Sequence, residues 1–259
     1  MARFLNKVAI ITGSSNGIGQ STAVLMASEG ASVMIHGRSL DGLQRTASLI
    51  VDKGIPAERV LSIQGEIQND QTIQDLTKKT IEKFGKIDIL VNNAGVVALP
   101  NNDSESMEAY DHIHDVNIKS IIKLNNLTLP YLEQTKGNIV HVSSVSAVLP
   151  RPSRTYYSMS KAALDHYMRN KTDELARKGI RINNVNPGMV RTNILNAMGI
   201  PEEKQQSFYD HYQKSIPLGR PAESEEIAKT IAFLASSDAS YITGVALLAD
   251  GGNAQLATV

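Results

Sequence analysis

The stretch Thr12-Gly-Ser-Ser-Asn-Gly-Ile-Gly19 decides the fold of this chain. It follows an apolar run, Lys7–Thr12, and leads into a helix-like segment, Ile18–Ser28. Glycines at such a junction let the backbone turn sharply and approach a pyrophosphate, while the helix N-terminus offers free N–H groups and the positive end of its dipole. The spacing G-x-x-x-G-x-G differs from the common G-x-G-x-x-G fingerprint. The turn still indicates a dinucleotide-binding strand–helix unit.

The same residues permit a second interpretation. Gly13-Ser-Ser-Asn-Gly17 fits the G-x-S-x-G nucleophile elbow, in which Ser15 would be the nucleophile of a hydrolase. That elbow would follow the first strand of the chain, which leaves no earlier strand or loop to supply the second half of an oxyanion hole. The dinucleotide interpretation is therefore favoured.

Short apolar runs alternate with helix-like segments along the whole chain. Runs so rich in Val, Ile and Leu are typical of strands buried on both faces of a parallel sheet. The alternation predicts one α/β domain over residues 1–259, with a Rossmann-like, doubly wound parallel sheet of about seven strands. The predicted strands are Lys7–Thr12, Ser32–His36, Val60–Gln64, Ile87–Val91, Asn138–Ser143, Arg181–Val185 and Val245–Ala249, and the predicted helices include Ile18–Ser28, Leu40–Lys53, Asp70–Phe84 and Tyr156–Lys178.

The ends of several helices can be predicted, and one segment departs from the alternation. Ser39 is expected to cap a helix, whereas Gly54, Gly85 and Gly179 stand where C-terminal glycines belong. Between residues 193 and 215 no strand is predicted. A long insertion of this kind is either a lid over a binding site or a helical excursion that packs on the surface or on a partner subunit.

The composition excludes several classes of protein. The chain has 259 residues, no cysteine, and 26 Lys+Arg against 26 Asp+Glu. Without cysteine there is no disulfide, no Cys-ligated metal and no thiol nucleophile, and zero net charge argues against a nucleic-acid partner. Only His112 and His114 lie close together, and at i,i+2 on a helix they point to different faces, so no metal site is expected. No targeting segment or membrane span is visible, which favours a cytoplasmic protein.

The end of the second predicted strand bears on the choice of cofactor. It reads Val33-Met-Ile-His-Gly-Arg38. An acidic residue at this strand end would hydrogen-bond the ribose 2′-OH of NAD, but Gly37 occupies the place and Arg38 follows. A small residue beside a guanidinium suits a 2′-phosphate. NADP(H) is therefore the preferred cofactor, with NAD(H) as the alternative; a solvated Arg38 at a helix start is the competing interpretation.

Three side chains form a candidate catalytic group. Tyr157 and Lys161 stand at i,i+4 on one helical face, so the phenol and the ammonium can lie side by side. A nearby positive charge stabilises a phenolate and lowers its pKa toward neutrality. Ser144 follows the strand Asn138–Ser143, at the sheet edge where ligands bind, and could hold a substrate carbonyl against the tyrosine.

Taken together, the motifs of this chain resemble those of the short-chain dehydrogenase/reductase family. They occur in the order and spacing of that family from residue 7 to residue 253. They are Thr12-Gly-Ser-Ser-Asn-Gly-Ile-Gly19, Asn92-Asn-Ala-Gly95, Val116-Asn117, Val142-Ser-Ser144, Tyr157-Ser-Met-Ser-Lys161, Asn186-Pro-Gly188 with Thr192, and Asp250-Gly-Gly252.

The resemblance implies a role for each matching residue. Tyr157 would exchange the proton, Lys161 would lower its pKa and bind the nicotinamide ribose, Ser144 would polarise the carbonyl, and the backbone around Asn117 would anchor a proton-relay water. The cofactor would contact Gly13, Ser15, Asn16, Gly17, Ile18, Gly19, Arg38, Glu66, Ile67, Asn93, Ala94, Gly95, Tyr157, Lys161, Pro187, Gly188, Val190 and Thr192. The resemblance further implies that residues 193–215 form a substrate lid, and that the enzyme is a homotetramer or homodimer.

The chain departs from the family pattern at two places. Glu66-Ile67 replaces the usual Asp-Val after the third strand, where the acid accepts from the adenine amine. Asn16 stands where NADP-preferring members often carry a basic residue, so Arg38 would act alone.

The resulting prediction is an oxidoreductase that transfers a hydride between NADP(H) and a carbonyl or secondary alcohol of a small molecule. The alternative is a non-catalytic, dinucleotide-binding regulatory protein of the same fold. Arg151 and Arg154 lie between Ser144 and Tyr157 and could meet an anionic group of the substrate, although solvated arginines at the rim are the simpler explanation.

Overall fold

All seven predicted strands join one parallel sheet in a computed structural model, which describes residues 2–99, 105–197 and 200–255. A further pair of two-residue strands, β7 and β8, forms a separate parallel ladder. The strands are β1 (Val8–Ile11), β2 (Ser32–Gly37), β3 (Val60–Gln64), β4 (Ile89–Asn92), β5 (Asn138–Val142), β6 (Arg181–Pro187), β7 (Val190–Arg191), β8 (Ala222–Glu223) and β9 (Ala246–Ala249).

The strand order of the large sheet is β3-β2-β1-β4-β5-β6-β9. At its centre Ile11 of β1 pairs with Ile35 of β2 on one side and with Val91 of β4 on the other. The order reverses between β1 and β4, so the loops that leave these two strands diverge to opposite faces. In an open parallel sheet, the crevice at such a switch point is where ligands bind.

Helices cover both faces of the sheet, and each face has its own apolar core. Ile11 of β1 packs with Met26 and Ile231 on one face, whereas its neighbour Ile10 packs with Leu76 and other residues on the opposite face. Because successive side chains of a strand point to opposite faces, two buried faces require continuous apolar runs. The helices are α1 (Gly17–Ser28), α2 (Leu40–Val51), α3 (Asp70–Phe84), α4 (Met107–His114), α5 (Ser120–Thr135), α6 (Thr155–Arg177), α7 (Ile194–Ala197), α8 (Glu202–Gln213) and α9 (Ser224–Ala235).

The predicted helix ends are confirmed. Ser39 caps α2, since its hydroxyl accepts from the backbone N–H of Gly42 at 3.0 Å. Gly85 caps α3, whereas Gly54 and Gly179 lie shortly beyond the ends of α2 and α6. These residues mark where α2, α3 and α6 begin or end and the connecting loops take over.

The described part of the predicted insertion, residues 193–197 and 200–215, contains α7 and α8 and no strand, as predicted. Residues 198 and 199 of that insertion lie outside the described residues. None of the helices in the described ranges has both the length and the apolar character that a membrane crossing demands.

Candidate active site

The glycine turn joins β1 to α1 with very little space between the backbones. A Cβ atom at Gly13 would lie 2.8 Å from the Cα of Ala94, and one at Gly19 would overlap the carbonyl oxygen of Gly13. Gly19 therefore allows α1 to pack directly against the turn. The N-terminus of α1 points into the crevice in the manner required to bind a phosphate anion.

Thr12 and Asn93 tie the end of β1 to the end of β4. The hydroxyl of Thr12 accepts from the backbone N–H groups of Asn93 and Ala94, both at 3.0 Å. The amide of Asn93 donates to the carbonyls of Thr12 and Gly13, both at 2.9 Å. These hydrogen bonds fix the loops that follow β1 and β4 to each other at the switch point.

The side chain of His36 holds the glycine turn in place through hydrogen bonds, a role that its sequence context does not indicate. Its Nδ1 accepts from the N–H of Gly13 at 3.3 Å, and its Nε2 lies 3.1 Å from the carbonyl of Gly65. Burial lowers the pKa of His36 to about 4, so the ring is neutral and Nε2 is the donor. Because both ring nitrogens are engaged, His36 does not serve as a base for Ser15, which disfavours the hydrolase interpretation.

Gly37 and Arg38 shape the adenosine end of the site. A Cβ atom at Gly37 would lie 2.8 Å from both Cβ and Oγ of Ser15, so no acidic side chain fits there without displacing the turn. Arg38 is exposed, and within the described ranges its guanidinium has neither a hydrogen bond nor an ion pair. Its backbone carbonyl accepts from Gln64 at 3.0 Å, which fixes the start of the side chain.

Lys161 is buried in the wall of the cleft, with 3% of its surface exposed. Its ammonium donates to the carbonyl of Val142 at 2.8 Å and lies 5.7 Å from the ring centroid of Tyr157. Burial lowers the pKa of Lys161 to about 8, and the negative charge of Asp165 opposes that shift. The i,i+4 spacing on α6 thus brings the two side chains together as predicted.

The hydroxyl of Tyr157 has a different electrostatic environment from the one expected. Desolvation raises the pKa of Tyr157, while its hydrogen bond with Ser144 and the positive charge of Arg154 act in the opposite direction. The net shift is upward, so the expected lowering by Lys161 is absent in the protein alone. Desolvation of the phenol is the largest of these effects, which is why the net shift is upward.

Ser144 stands at the carboxyl end of β5, where the chain begins a short 3₁₀ turn. Its hydroxyl accepts from the N–H of Ser146 at 3.1 Å, which orients the oxygen. Its backbone carbonyl accepts from the amide of Asn186 on β6 at 3.1 Å. Ser144 is therefore held from two sides while its hydroxyl reaches Tyr157.

A buried polar network lies behind this wall. Asp165 accepts from the amides of Asn186 at 2.7 Å and Asn184 at 2.8 Å. Asn184 in turn accepts from Nδ1 of His141 at 2.9 Å. Desolvation lowers the pKa of His141 to about 4, so this ring is neutral. The network connects the interior of the sheet to Ser144 through Asn186.

Asn117 lies in a π-helical turn, Asp115–Lys119, between α4 and α5. Its side chain accepts from the N–H of Val96 and donates to the carbonyl of Val96, both at 2.9 Å. It also donates to the hydroxyl of Ser160 at 3.0 Å. Asn117 is fully buried and fixes the loop after β4 against α6, so its side chain acts on position rather than on a ligand.

One continuous cleft runs from the glycine turn to Tyr157. Its wall contains most of the predicted site residues: Gly13, Ser15, Asn16, Gly17, Ile18, Arg38, Ile67, Asn93, Ala94, Gly95, Ser144, Tyr157, Lys161, Pro187, Gly188, Val190 and Thr192. Three predicted residues, Gly19, Glu66 and Asn117, are not in that wall. The sequence did not single out His36, Gln68, Tyr212 or Asn253 as site residues, although all four line the cleft.

Glu66 lies outside the cleft wall, whereas the two residues that follow it line the cleft. Glu66 is exposed and accepts from the side-chain amide of Gln68 at 3.1 Å. Ile67 is buried and faces the cleft together with Gln68. Across the described residues, His, Asp and Glu side chains form no group of three or more arranged to hold a metal ion.

Comparison with known proteins agrees with this geometry. A family model described as enoyl-(acyl carrier protein) reductase matches residues 13–254. A 3-oxoacyl-(acyl-carrier-protein) reductase of Thermotoga maritima is 35% identical over 254 residues, which cover 96% of this chain and 98% of that protein. A meso-2,3-butanediol dehydrogenase of Serratia marcescens is 34% identical over 250 residues, covering 96% and 95% of the two chains.

A solved structure shares the whole fold. It is a short-chain dehydrogenase/reductase of unknown function from Caenorhabditis elegans, crystallised with its cofactor; it superposes with a TM-score of 0.94 at 40% identity, covering 98% of this chain and 97% of its own. The relatives are oxidoreductases of alcohols and carbonyls. The chain therefore belongs to the short-chain dehydrogenase/reductase family and is an oxidoreductase that depends on a nicotinamide dinucleotide.

Proposed function

We propose that this enzyme interconverts a small-molecule carbonyl and a secondary alcohol with NADP(H), and that Tyr157 is its general acid and base. The observation that carries this proposal is the meeting of Tyr157, Ser144 and Lys161 in one cleft wall, at the carboxyl ends of the parallel strands. A positioned phenol, a hydroxyl donor and a buried ammonium are the groups that carbonyl reduction requires.

The residues of the cleft fit a dinucleotide. The glycine turn leaves room for a pyrophosphate at the N-terminus of α1, where an added Cβ at Gly13 would collide with Ala94. Lys161 would bind the nicotinamide ribose, and Thr192 would reach the carboxamide. The remaining contacts are proposed for Pro187, Gly188 and Val190 around the nicotinamide, and for Glu66 and Ile67 near the adenine.

The chain's own residues would manage the proton and the developing charge. The bound nicotinamide supplies two electrons as a hydride, which reduces the carbonyl carbon and oxidises the cofactor. Tyr157 gives its proton to the carbonyl oxygen, so the products are the alcohol and a tyrosinate. Ser144 would donate to the same oxygen, and the positive charge of Arg154 would stabilise the tyrosinate until a proton returns through a water that the backbone around Asn117 would anchor.

The preference for NADP(H) rests on the second strand end. Ser15 occupies the space that an acidic side chain at position 37 would need. Arg38 is exposed at that end of the cleft, and its guanidinium offers two parallel donors to a 2′-phosphate. NAD(H) remains the alternative cofactor, since Asn16 supplies no second positive charge.

Three further proposals rest on the family resemblance. Residues 193–215 would close over the substrate as a lid, which agrees with the placement of Ile194, Leu195 and Tyr212 in the cleft wall. The enzyme would be a homotetramer, or else a homodimer, and it would work in the cytoplasm. Sedimentation of the purified protein tests the oligomeric state.

Fluorescence titration with NADPH and NADH, followed by a screen of ketones, quinones and acyl thioesters, tests the function. We expect tighter binding of NADPH and its oxidation by at least one class of carbonyl. Binding of NADPH with no turnover on any class would favour the alternative, a regulatory dinucleotide-binding protein. Tighter binding of NADH would contradict the cofactor preference alone.

A further inference from the structure

The charge of the cleft wall differs sharply from that of the whole chain. The protein carries 26 basic and 26 acidic side chains. Within the described ranges no Asp or Glu lines the cleft, whereas Arg38, Arg151, Arg154 and Lys161 all do. The proposed cofactor contacts account for Arg38 and Lys161. The guanidinium groups of Arg151 and Arg154 therefore have no assigned ligand.

These two arginines belong to the reacting end of the cleft. Both lie on the segment that connects Ser144 to Tyr157, after the end of β5. Arg154 lines the same cleft wall as Tyr157, and its charge acts on the Tyr157 hydroxyl. Over the described part of the chain, neither Arg151 nor Arg154 is within ion-pair distance of a carboxylate.

Arg151 is held in place by uncharged partners. Its Nη2 donates to Oδ1 of Asn253 at 2.9 Å, and its guanidinium carbon lies 5.8 Å from the ring centroid of Tyr212 on α8. Asn253 is itself anchored, since its amide donates to the carbonyl of Ser215 at 2.6 Å. A guanidinium has five N–H donors, so most of those on Arg151 remain for a ligand. Orienting a cation in this way reduces the entropy lost on binding an anion.

We infer that the substrate carries a compact oxyanion, a carboxylate or a phosphate ester, which Arg151 and Arg154 bind while Tyr157 and Ser144 hold the carbonyl or alcohol. Apolar side chains that include Ile194, Leu195 and Ile216 line the same cleft and would contact the carbon chain between the two polar groups. This inference rests on the proposed function and names the substrate class for that same site.

The test compares substrates that differ only in charge. The probes are oxo carboxylates with one, two or three methylene groups between carbonyl and carboxylate, each beside its methyl ester, and the phosphate esters of the corresponding hydroxy ketones. The enzymes are wild type, Arg151→Ala, Arg154→Ala and Arg151→Lys, with Arg169→Ala as the control because Arg169 is exposed on α6 outside the cleft. The measurements are kcat/KM with NADPH, and calorimetric Kd values for the hydroxy-acid products and their amides.

We expect the wild type to favour one oxyanion series over its neutral partners by about tenfold or more, since charge-assisted hydrogen bonds are the strong ones. Arg151→Ala should remove most of that preference by acting on the anionic members, while its kcat/KM for the esters changes less than about twofold, as does every kcat/KM of the Arg169→Ala control. Because the charge of Arg154 also acts on Tyr157, Arg154→Ala should lower kcat/KM for both series, but by a clearly larger factor for the anionic members. Arg151→Lys should retain part of the preference for the anionic substrates. The better series, carboxylate or phosphate, identifies the oxyanion.

The inference and the proposed function fail in different ways. Equal turnover of anions and esters, unchanged by the arginine substitutions, would overturn the inference and leave the proposed function intact. Equal losses on anions and esters would also overturn it, because they would assign the arginines a structural role. No turnover with any probe, together with equal Kd values for hydroxy acids and amides, would overturn both.

Discussion

Asp165 accepts a hydrogen bond from Asn186 at 2.7 Å, and Asn186 holds the backbone carbonyl of Ser144 at 3.1 Å. A buried carboxylate on α6 thus positions a residue of the cleft wall on the neighbouring strand end. The same carboxylate opposes the effect of burial on the pKa of Lys161. Asp165 is therefore a positioning residue for Ser144, and its charge also raises the pKa of Lys161.

Replacing Asp165 by Asn should weaken the fold and shift the pH dependence of activity. The amide would turn an N–H group toward Asn184 or Asn186, which leaves buried donors unsatisfied and costs about 1–3 kcal/mol. Loss of the negative charge should lower the pKa of Lys161 further. The part of the pH–rate profile that reports the ionisation of Lys161 should therefore move to lower pH. Urea unfolding and a kcat/KM profile measure the two effects. Asp173→Asn, on the exposed face of the same helix, is the control, and an unshifted profile would argue against the positioning role.

Removing the charge of Arg154 should make Tyr157 harder to ionise. The guanidinium stabilises the tyrosinate, so it lowers the pKa of Tyr157, and its loss must raise that pKa. Arg154→Ala should therefore move the rising limb of alcohol oxidation to higher pH, by several tenths of a unit to about one unit. Arg154→Lys keeps the charge and should keep most of the wild-type profile. The kcat/KM profile of a neutral alcohol provides the measurement; a shift to lower pH would refute the assignment.

Arg38 should discriminate between the two cofactors. Arg38→Ala should raise the Kd for NADPH by about tenfold, because a charge-assisted contact to the 2′-phosphate is lost, and should leave the Kd for NADH within about twofold. Fluorescence titration measures both constants, with Arg169→Ala as the control. An equal rise in the Kd values for NADPH and NADH would mean that Arg38 acts on the shape of the loop and not on the 2′-phosphate.

Two buried histidines should make the fold sensitive to acid. Burial disfavours the charged ring and lowers the pKa values of His36 and His141 from the ordinary 6.5 to about 4. Between pH 6.5 and pH 4 the unfolded chain binds protons that the folded protein does not. The stability that the two neutral rings contribute is therefore fully present above pH 6.5 and is lost as the pH falls toward 4. Each histidine should account for roughly 3 kcal/mol of the loss.

The variants His36→Gln and His141→Gln test this acid dependence. Each should reduce stability at pH 7, because hydrogen bonds are lost, yet flatten its decline between pH 6.5 and pH 4. The exposed His166→Gln variant should follow the wild type. Urea unfolding across that range measures the slopes. A slope unchanged by both core variants would mean that other groups titrate.

The sequence was sufficient to predict the sheet, because its signals are local. All seven predicted strands are present, and Val60–Gln64 and Asp70–Phe84 match their predicted bounds. The short ladder of β7 and β8 was not predicted, since two-residue strands carry no periodicity. α5 was also not predicted as a helix; it holds Pro130 in its interior, which is a residue that normally breaks helices.

The site was predictable to the extent that its residues stand in motifs at strand ends. Ser144, Tyr157 and Lys161 meet as the i,i+4 spacing and the strand end implied. The contacts of His36 and Asp165 arise only when distant segments pack, so no spacing along the chain reveals them. The expected lowering of the pKa of Tyr157 is not found for a related reason, because the burial of its phenol, which outweighs the favourable effects of Ser144 and Arg154, is not visible in any spacing along the chain.

Replacement of Tyr157 by Phe tests the central claim most directly. The variant keeps the ring and removes the hydroxyl, so kcat should fall by a factor of about 10²–10⁴, the usual contribution of a general acid. The Kd for NADPH should stay within about twofold, and Tyr156→Phe, which removes the neighbouring hydroxyl bonded to the Glu105 carbonyl, should retain activity. Pre-steady-state turnover of Tyr157→Phe on an accepted substrate is the measurement. A rate near that of the wild type, with NADPH still bound, would contradict the assignment of Tyr157 as the proton donor.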